Sequence, residues 1–567
     1  MRYNFATRIR LFSTLIICCA AVLIIRLYFL QVVYSQSFKL QADHQYISSS
    51  QTIFDRGNIY FVDKGGLRTF AATDKPGFFL TVNPRLIINA EDVYKKLSTV
   101  ITIDHASFIQ KAGKTNDSYE EISHRLSSEQ ADKITAQKIP GVGLYKEQWR
   151  FYPGATLAAQ SIGFVGFKGN DLVGRTGLES SDDSILERST QNMQVNSFAQ
   201  MFTDIGSIAS SDNQEGDVVT TIEPTVQSFL DEQLTETNKK FNSVMTGGII
   251  IDPKTGEIYA LGSYPTYDPN TFQTVKDPTV FNNPLVENVY EMGSIVKALT
   301  MASGLDAGVV TVNSTYNDKG CETLNNKKFC NYDGVARGVV PMQQVLNQSL
   351  NMGAAYVAGK LGNTLSSQYL ENFGLGEKSG IDLPNEAHGL INNLKNTRDI
   401  EHATASYGQG IAMSPIVITR ALSALANGGV LVTPHVTKEI DYLNGLVKTT
   451  PIVQGRQVIK KSTADTITQM LVNVVDQALL EGAIKQTNYS IAAKTGTAQI
   501  ANPQGGYYTD RYLHSFFGYF PAYNPRFLVF LYTVYPKDVE YASHSLTQPF
   551  IDAVKFLINY YQIPPDR

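Results

Sequence analysis

The chain has 567 residues, 43% of them hydrophobic and 18% charged, which supports more than one packed core and excludes a disordered chain. A formal net charge of −4 gives no electrostatic case for nucleic-acid binding, and no long basic stripe runs along the sequence. The eight histidines are scattered, with no H-E-x-x-H, Cys/His cluster, P-loop or dinucleotide fingerprint, so neither a metal nor a nucleotide cofactor is expected.

Arg2, Arg8 and Arg10 precede a largely apolar run over 11–34. That length spans a bilayer if Arg26 snorkels to the headgroups. We expect residues 1–10 to be a cytoplasmic tail, 11–34 a transmembrane anchor, and everything after it to lie outside. A cleaved signal peptide competes, but the nearest approach to an Ala-x-Ala site is Ser35-Gln36-Ser37.

Residues 35–210 read as a non-catalytic spacer, with a strand-like run at 77–82 and a helix-like stretch at 92–100. A polar linker over 207–216 leads into a domain over 211–567. There a strand at 217–222 precedes an amphipathic helix starting near Pro224, with Val226, Phe229, Leu230 and Leu234 on one face. Residues 248–251 and 257–261 form an expected hairpin around Asp252-Pro253-Lys254-Thr255-Gly256. A helical middle over 294–430 gives way to strands at 491–500, 514–520 and 527–535. Strand, helices, then strands predicts an α+β domain with helices against a largely antiparallel sheet.

Three triplets carry the chemistry. Ser294 follows Gly293 at a predicted helix start, and Lys297 lies three residues on, on the same face, within reach of the serine hydroxyl. A lysine base needs a pKa well below its free value, which burial and a second cation such as Lys494 supply. Ser349-Leu350-Asn351 falls between helical segments, where Ser349 could relay a proton and the Asn351 amide could hold a substrate backbone. Lys494-Thr495-Gly496 and Thr497 lie on a late strand that could pair with an extended peptide. Gly496 would keep that approach open, Lys494 and the threonine hydroxyls could bind a carboxylate, and the Ser294 and Thr497 N–H groups are candidates for an oxyanion hole.

Each triplet alone has an ordinary alternative: an N-cap, an interhelical cap, or an exposed strand. Lys254-Thr255-Gly256 and Ser211-Asp212-Asn213 repeat two of the patterns in turn or linker settings. Order and context therefore carry the assignment. Between the first two triplets, an Asn325-Asn326 turn would place Cys321 opposite Cys330 at disulfide distance; two unpaired thiols are the alternative.

The sequence resembles the class B penicillin-binding proteins, monofunctional peptidoglycan D,D-transpeptidases. The resemblance rests on the ordered triplets and on Arg56-Gly57-Asn58-Ile59-Tyr60, Arg150-Phe151-Tyr152-Pro153-Gly154 and Gly174-Arg175-Thr176-Gly177-Leu178-Glu179. Tyr264-Pro265-Thr266-Tyr267-Asp268-Pro269-Asn270, Tyr290-Glu291 and Tyr407-Gly408-Gln409-Gly410 with Ser414-Pro415 extend it. Met292 stands where the family usually has proline, and Ser414-Pro415 replaces the more usual Thr-Pro; neither removes a reacting group.

The resemblance implies an elongated mixed α/β pedestal, or dimerisation-like domain, and a transpeptidase domain of serine β-lactamase-like fold. Ser294 would be the nucleophile, Lys297 the base, Ser349 the proton relay and Asn351 a positioning group, with Lys494, Thr495, Gly496 and Thr497 binding substrate. The implied substrates are peptidoglycan stem peptides on a lipid-linked precursor, with release of D-alanine, and β-lactams would acylate the same serine. A multi-pass membrane glycan polymerase and division proteins are the implied partners, at the bacterial cytoplasmic membrane with the catalytic domain facing the wall. Chain length and a compact pedestal favour a septal over an elongation role by analogy. A β-lactam-sensing receptor and a non-catalytic divisome scaffold are the other classes: no cytoplasmic part is long enough to signal, and all three triplets are intact.

Overall fold

The computed structural model describes residues 54–169, 171–188 and 214–567. The expected tail and anchor, the boundary at 210/211, most of the linker and Ser211-Asp212-Asn213 lie outside the described residues. Among the described residues no helix is long and apolar enough to cross a membrane.

The chain divides into two compact units. Of the described residues, the smaller holds 54–55 and Lys75–Trp149, and the larger holds Arg56–Asp74 and Arg150–Arg567. Residues 56–74 and 150–188, expected in the spacer, thus fold with the larger unit.

In the smaller unit, the end of strand Arg68–Val82 pairs antiparallel with Glu120–Leu126, bringing Leu80 opposite Ser123. Helices Ala90–Ser98, His105–Ala112 and Ser128–Ala136 start at Asn89, Asp104 and Ser127, whose side chains accept the free N–H groups of their first turns. Asn89 captures the Asp92 N–H, which starts the first helix two residues earlier than its apolar pattern suggests. Leu80, Leu97, Phe108, Leu126 and Ile134 form the core.

The larger unit is built on a five-stranded antiparallel sheet, in the order Ala492–Ala501, Tyr507–Phe520, Phe527–Val534, Met245–Ile251, Ile258–Tyr264. Both faces are covered. Ile250, Ala493, Phe516 and Leu531 point to one side and pack in a core with helices Pro224–Phe241 and Thr547–Tyr561. Ile249, Ile251, Phe517 and Phe530 alternate to the other side, where the core includes helices Val296–Asp306, Asn351–Leu361, Pro415–Ala426 and Lys461–Asn473. Two-sided burial explains why the strand at 527–534 reads as a continuous apolar run. The Lys494 strand is an edge of this sheet, as the sequence reading requires.

Three of the motifs that carry the resemblance meet in one buried network. Glu179, fully buried, accepts from Arg56 Nε and Arg150 Nε at 2.6 Å each and from the Tyr152 hydroxyl at 3.2 Å. Arg56 also reaches Asp183 at 2.7 Å, and Arg150 reaches Asp74 at 3.1 Å. Asn270 clamps the Tyr152 backbone from both sides, accepting its N–H at 3.0 Å and donating to its carbonyl at 2.9 Å.

Candidate active site

Ser294 stands on a short 3-10 turn, Gly293–Ile295, that runs directly into helix Val296–Asp306. The turn is fixed by backbone contacts. Gly293 has φ +65°, and a Cβ there would lie 2.9 Å from the Thr497 carbonyl oxygen. Gly408, φ +79°, sits so close that its Cβ would come within 2.2 Å of the Gly293 carbonyl oxygen. Its own carbonyl accepts the Gly293 N–H at 3.1 Å. The Met292 carbonyl accepts the Ser515 hydroxyl at 2.7 Å, and the Met292 side chain is fully buried.

Helix geometry carries Lys297 inward from the serine, where it is 1% exposed. Its Nζ donates to the Ser349 carbonyl at 2.6 Å and lies 3.2 Å from Ser349 Oγ. This departs from the expected direct pairing: among the described residues the lysine's hydrogen bonds go to Ser349, not Ser294. Burial, then the charge of Lys494, hold the Lys297 ammonium well below the usual lysine range. Lys494, 2% exposed, donates to the same Ser349 hydroxyl at 3.1 Å and to its neighbour's Thr495 carbonyl at 3.0 Å. Burial lowers it to about 7.

Ser349 lies between helices Met342–Asn347 and Asn351–Leu361, in the left-handed region at φ 53°. That conformation is uncommon for a non-glycine residue and turns the chain sharply between the helices. Asn351 opens the second helix and donates its amide to the Cys330 carbonyl at 2.9 Å. Cys330 pairs with Cys321 across the hairpin Cys321–Leu324 and Lys327–Cys330, and a disulfide joins them. Asn351 thus ties the hairpin to the Ser349 turn through its NH2 group, and it also lines the cavity.

Ser294, Ser349, Asn351, Lys494, Thr495 and Thr497 line one cavity of about 770 Å³, with Cys330 on its wall. Gly496 differs from its expected role. A Cβ there would meet Ser515 Oγ at 2.4 Å and the Met292 carbonyl at 2.7 Å, so its missing side chain makes room for the serine turn rather than for substrate. The Thr497 hydroxyl accepts the Ala542 N–H at 3.1 Å.

Other lining groups went unassigned from sequence. Tyr507 lines the cavity and donates to Glu291 at 2.9 and 3.1 Å. The Lys297 Nζ lies 5.9 Å from the Tyr407 ring centroid. Tyr290-Glu291 and Tyr407 stood in motifs of the resemblance, whereas Tyr507 had no local signal. The second Lys-Thr-Gly, at 254–256, lies in the turn of hairpin Met245–Ile251 and Ile258–Tyr264, where Asp252 accepts the N–H groups of Lys254 and Thr255. His514 lies inside strand Tyr507–Phe520, its ring taken up by Ser545 and the Glu540 carbonyl. Among the described residues no group of His, Cys, Asp or Glu could hold a metal ion.

Known proteins share this architecture. Residues 246–554 match the penicillin binding protein transpeptidase domain, and residues 54–221 match the penicillin-binding protein dimerisation domain. The chain is 29% identical to stage V sporulation protein D of Bacillus subtilis over 97% of its own length and 85% of the relative's. It is 27% identical to peptidoglycan D,D-transpeptidase FtsI of Escherichia coli over 96% of this chain and 90% of that one. Penicillin binding protein 3 from Mycobacterium tuberculosis, complexed with aztreonam, has the same fold at a TM-score of 0.68 and 22% identity, covering 91% of this chain and 98% of that one. The chain therefore belongs to the class B penicillin-binding proteins, with a dimerisation domain followed by a transpeptidase domain.

Proposed function

We propose that this peptidoglycan D,D-transpeptidase works through an acyl-enzyme on Ser294. The Ser294 oxygen attacks the carbonyl of the penultimate D-alanine of a stem peptide, forming an ester as the C–N bond to the terminal D-alanine breaks. Lys297, unprotonated, takes the serine proton. Ser349 passes a proton to the departing amine, so free D-alanine leaves. A neighbouring strand's amine then attacks the ester, forms the cross-link and returns the proton to Ser294. Developing oxyanion charge falls to the Ser294 and Thr497 N–H groups. Asn351 holds the wall beside the acyl group, while Lys494 and Thr495 receive the substrate carboxylate. The observation that carries this reading is the burial of Lys297 beside Lys494, which lowers its hold on a proton and so favours the free amine that a base must be.

The experiment is labelling with a fluorescent β-lactam. Wild type labels, Ser294→Ala does not, and equal labelling of both overturns the nucleophile. A cross-linked product from lipid-linked substrate, with D-alanine released, tests the second step.

We further propose a transmembrane anchor over 11–34 with the catalytic domain outside the cytoplasmic membrane, and a spacer over 35–210 before a transpeptidase domain over 211–567. Glycan polymerisation falls to a multi-pass membrane partner among division proteins, because no polymerase motif accompanies the site. Chain length and the short pedestal support septal over lateral-wall synthesis. Imaging a tagged chain separates midcell rings from lateral patches.

A further inference from the structure

The mechanism gives no task to one wall of the catalytic cavity. Of the aliphatic side chains that line it, four come from a single segment: Val474, Ala478, Leu479 and Leu480. Helix Lys461–Asn473 continues into a π-helical turn, Val474–Ala478, in which the Leu479 N–H reaches back to the Val474 carbonyl. Such turns are rare and recur at functional sites. Leu480 and Glu481 follow in the left-handed region, at φ 47° and 58°, and Gly482 continues at φ +77°. Leucine seldom adopts that conformation, and two successive non-glycine residues persist in it only where the surroundings enforce it. Leu480 is thereby left 38% exposed on the cavity wall.

A brace outside the cavity holds this bend. Arg567 meets Asp476, inside the π-helical turn, with two parallel hydrogen bonds: Nη1 to Oδ2 at 2.6 Å and Nη2 to Oδ1 at 2.9 Å. The same guanidinium donates to the Gln486 carbonyl, from Nη2 at 2.6 Å and from Nε at 3.1 Å. One side chain thus joins the two ends of the segment 476–486. Asp566 extends the seam, accepting the Ser490 N–H at 2.7 Å and donating its own N–H to the Asn488 carbonyl at 3.1 Å. A Cβ on Gly482 would lie 2.6 Å from the Asp476 carbonyl oxygen, so the bend closes on main chain. Neither Arg567 nor Asp476 lines the cavity. The guanidinium fork fixes direction as well as distance, which a lysine ammonium does not.

The π-helical turn packs against strand Ala492–Ala501, which carries Lys494 and Thr495. Just before the turn, Asn473 accepts from the amide of Asn347, two residues ahead of Ser349, at 3.2 Å. The aliphatic wall therefore flanks both the relay hydroxyl and the carboxylate-binding strand. In the acyl transfer on Ser294, the departing D-alanine has its nitrogen at Ser349 and its carboxylate at Lys494 and Thr495. Its methyl group hangs from the carbon between them, beside this wall. We propose that Leu480 is a specificity-determining residue that receives the methyl group of the released D-alanine, and that Arg567 is the positioning residue that holds Leu480 in place. This rests on the acyl-enzyme reading of Ser294.

The test uses two thioester substrates that differ by that one methyl group, N-benzoyl-D-alanyl-thioglycolate and the thiolactate of the same hand as D-alanine. Thiol release by the full chain reads kcat/KM for each. Wild type prefers the thiolactate about tenfold, the low end for a methyl group in an apolar pocket. Leu480→Asn, which tolerates a left-handed backbone, and Leu480→Gly, which adopts it freely, each reduce that preference at least about threefold. Arg567→Met and Asp476→Asn reduce it likewise, and Arg567→Lys restores only part of it. Thermal unfolding establishes that each variant is folded; Leu480→Gly relieves the strained backbone and carries the test if Leu480→Asn is not. A merely structural Arg567 would slow both substrates equally, and an unmoved ratio in folded Arg567→Met and Asp476→Asn overturns the positioning role. No methyl preference in wild type, or a preference that survives in the folded Leu480 variants, overturns the assignment of Leu480 and leaves the acyl-enzyme standing. Thiol release that persists in Ser294→Ala overturns the acyl-enzyme reading, and this inference with it.

Discussion

Lys297 and Lys494 converge on a single atom, the Ser349 hydroxyl, from 3.2 and 3.1 Å. Two ammonium groups cannot both stay charged there at little cost. Their shared acceptor keeps the pair close enough for Lys494 to lower Lys297, adding to the effect of burial.

Acylation should therefore rise with pH as Lys297 loses its proton. Lys494→Gln removes a neighbouring positive charge, so the Lys297 pKa goes up and the acidic limb of the pH–rate profile moves to higher pH. Lys494→Arg keeps the charge and leaves the limb nearer its original place. Stopped-flow β-lactam acylation across pH 5–9 reads the shift, and an unmoved limb in Lys494→Gln sinks the coupling.

The same burial appears in stability. Lys494 titrates near 7 when folded against 10.5 when free. Between those values the unfolded chain binds more protons, so stability rises with pH. The cost is full below the folded value and disappears above the unfolded one. Urea midpoints at pH 7 and pH 9 should differ more in wild type than in Lys494→Met; equal pH dependence in both rules this out.

Ser349 is held at φ 53° and supplies a hydroxyl, and two variants separate these properties. Ser349→Ala and Ser349→Gly should both slow acylation on the order of a hundredfold or more, the range for a lost acid–base group. Ser349→Gly should be the more stable by about 1 kcal/mol, because glycine adopts that conformation freely. Matched rates with a stability gap in chemical denaturation is the expected result; full activity in either variant refutes the relay.

Gly496→Ala inserts a methyl group against Ser515 and the Met292 carbonyl. Overpacking costs about 1–3 kcal/mol. Displacement of the serine turn should slow acylation about a hundredfold. An alanine variant that acylates normally would show that the contact yields.

Glu179→Ala leaves the Arg56 and Arg150 guanidinium groups without their shared carboxylate. Loss of one member of a buried ion network costs about 3–5 kcal/mol. Thermal unfolding reads that loss, and a midpoint within a degree of wild type contradicts it.

The elements that carry the three triplets were legible because helix starts, turns and strands leave local signals. A serine after glycine at an apolar helix start, a turn between helices and a late strand are each visible within ten residues, although only their order along the chain set them apart from ordinary caps and strands. The Asn325-Asn326 turn likewise places Cys321 opposite Cys330, and the structure joins them. What the sequence hid depends on partners far away along the chain. Gly496 looked like an opening for substrate because Met292, which occupies that space, lies some two hundred residues earlier. Asn351 looked free because its acceptor is a backbone carbonyl, which no side-chain pattern reveals. Arg56, Arg150 and Glu179 were visible as motifs but not as one network, since pairing across more than a hundred residues is set by the fold.

The close passage of Gly408 over Gly293 limits how this enzyme can change. The floor under Ser294 is main chain against main chain, and substitution there has no side chain to exchange. A lineage pressed to reject an inhibitor while keeping its substrate must work on the walls, at the Lys327–Cys330 strand or at Tyr507. Change in such a site is a matter of access, with Ser294 and the backbone beneath it left untouched.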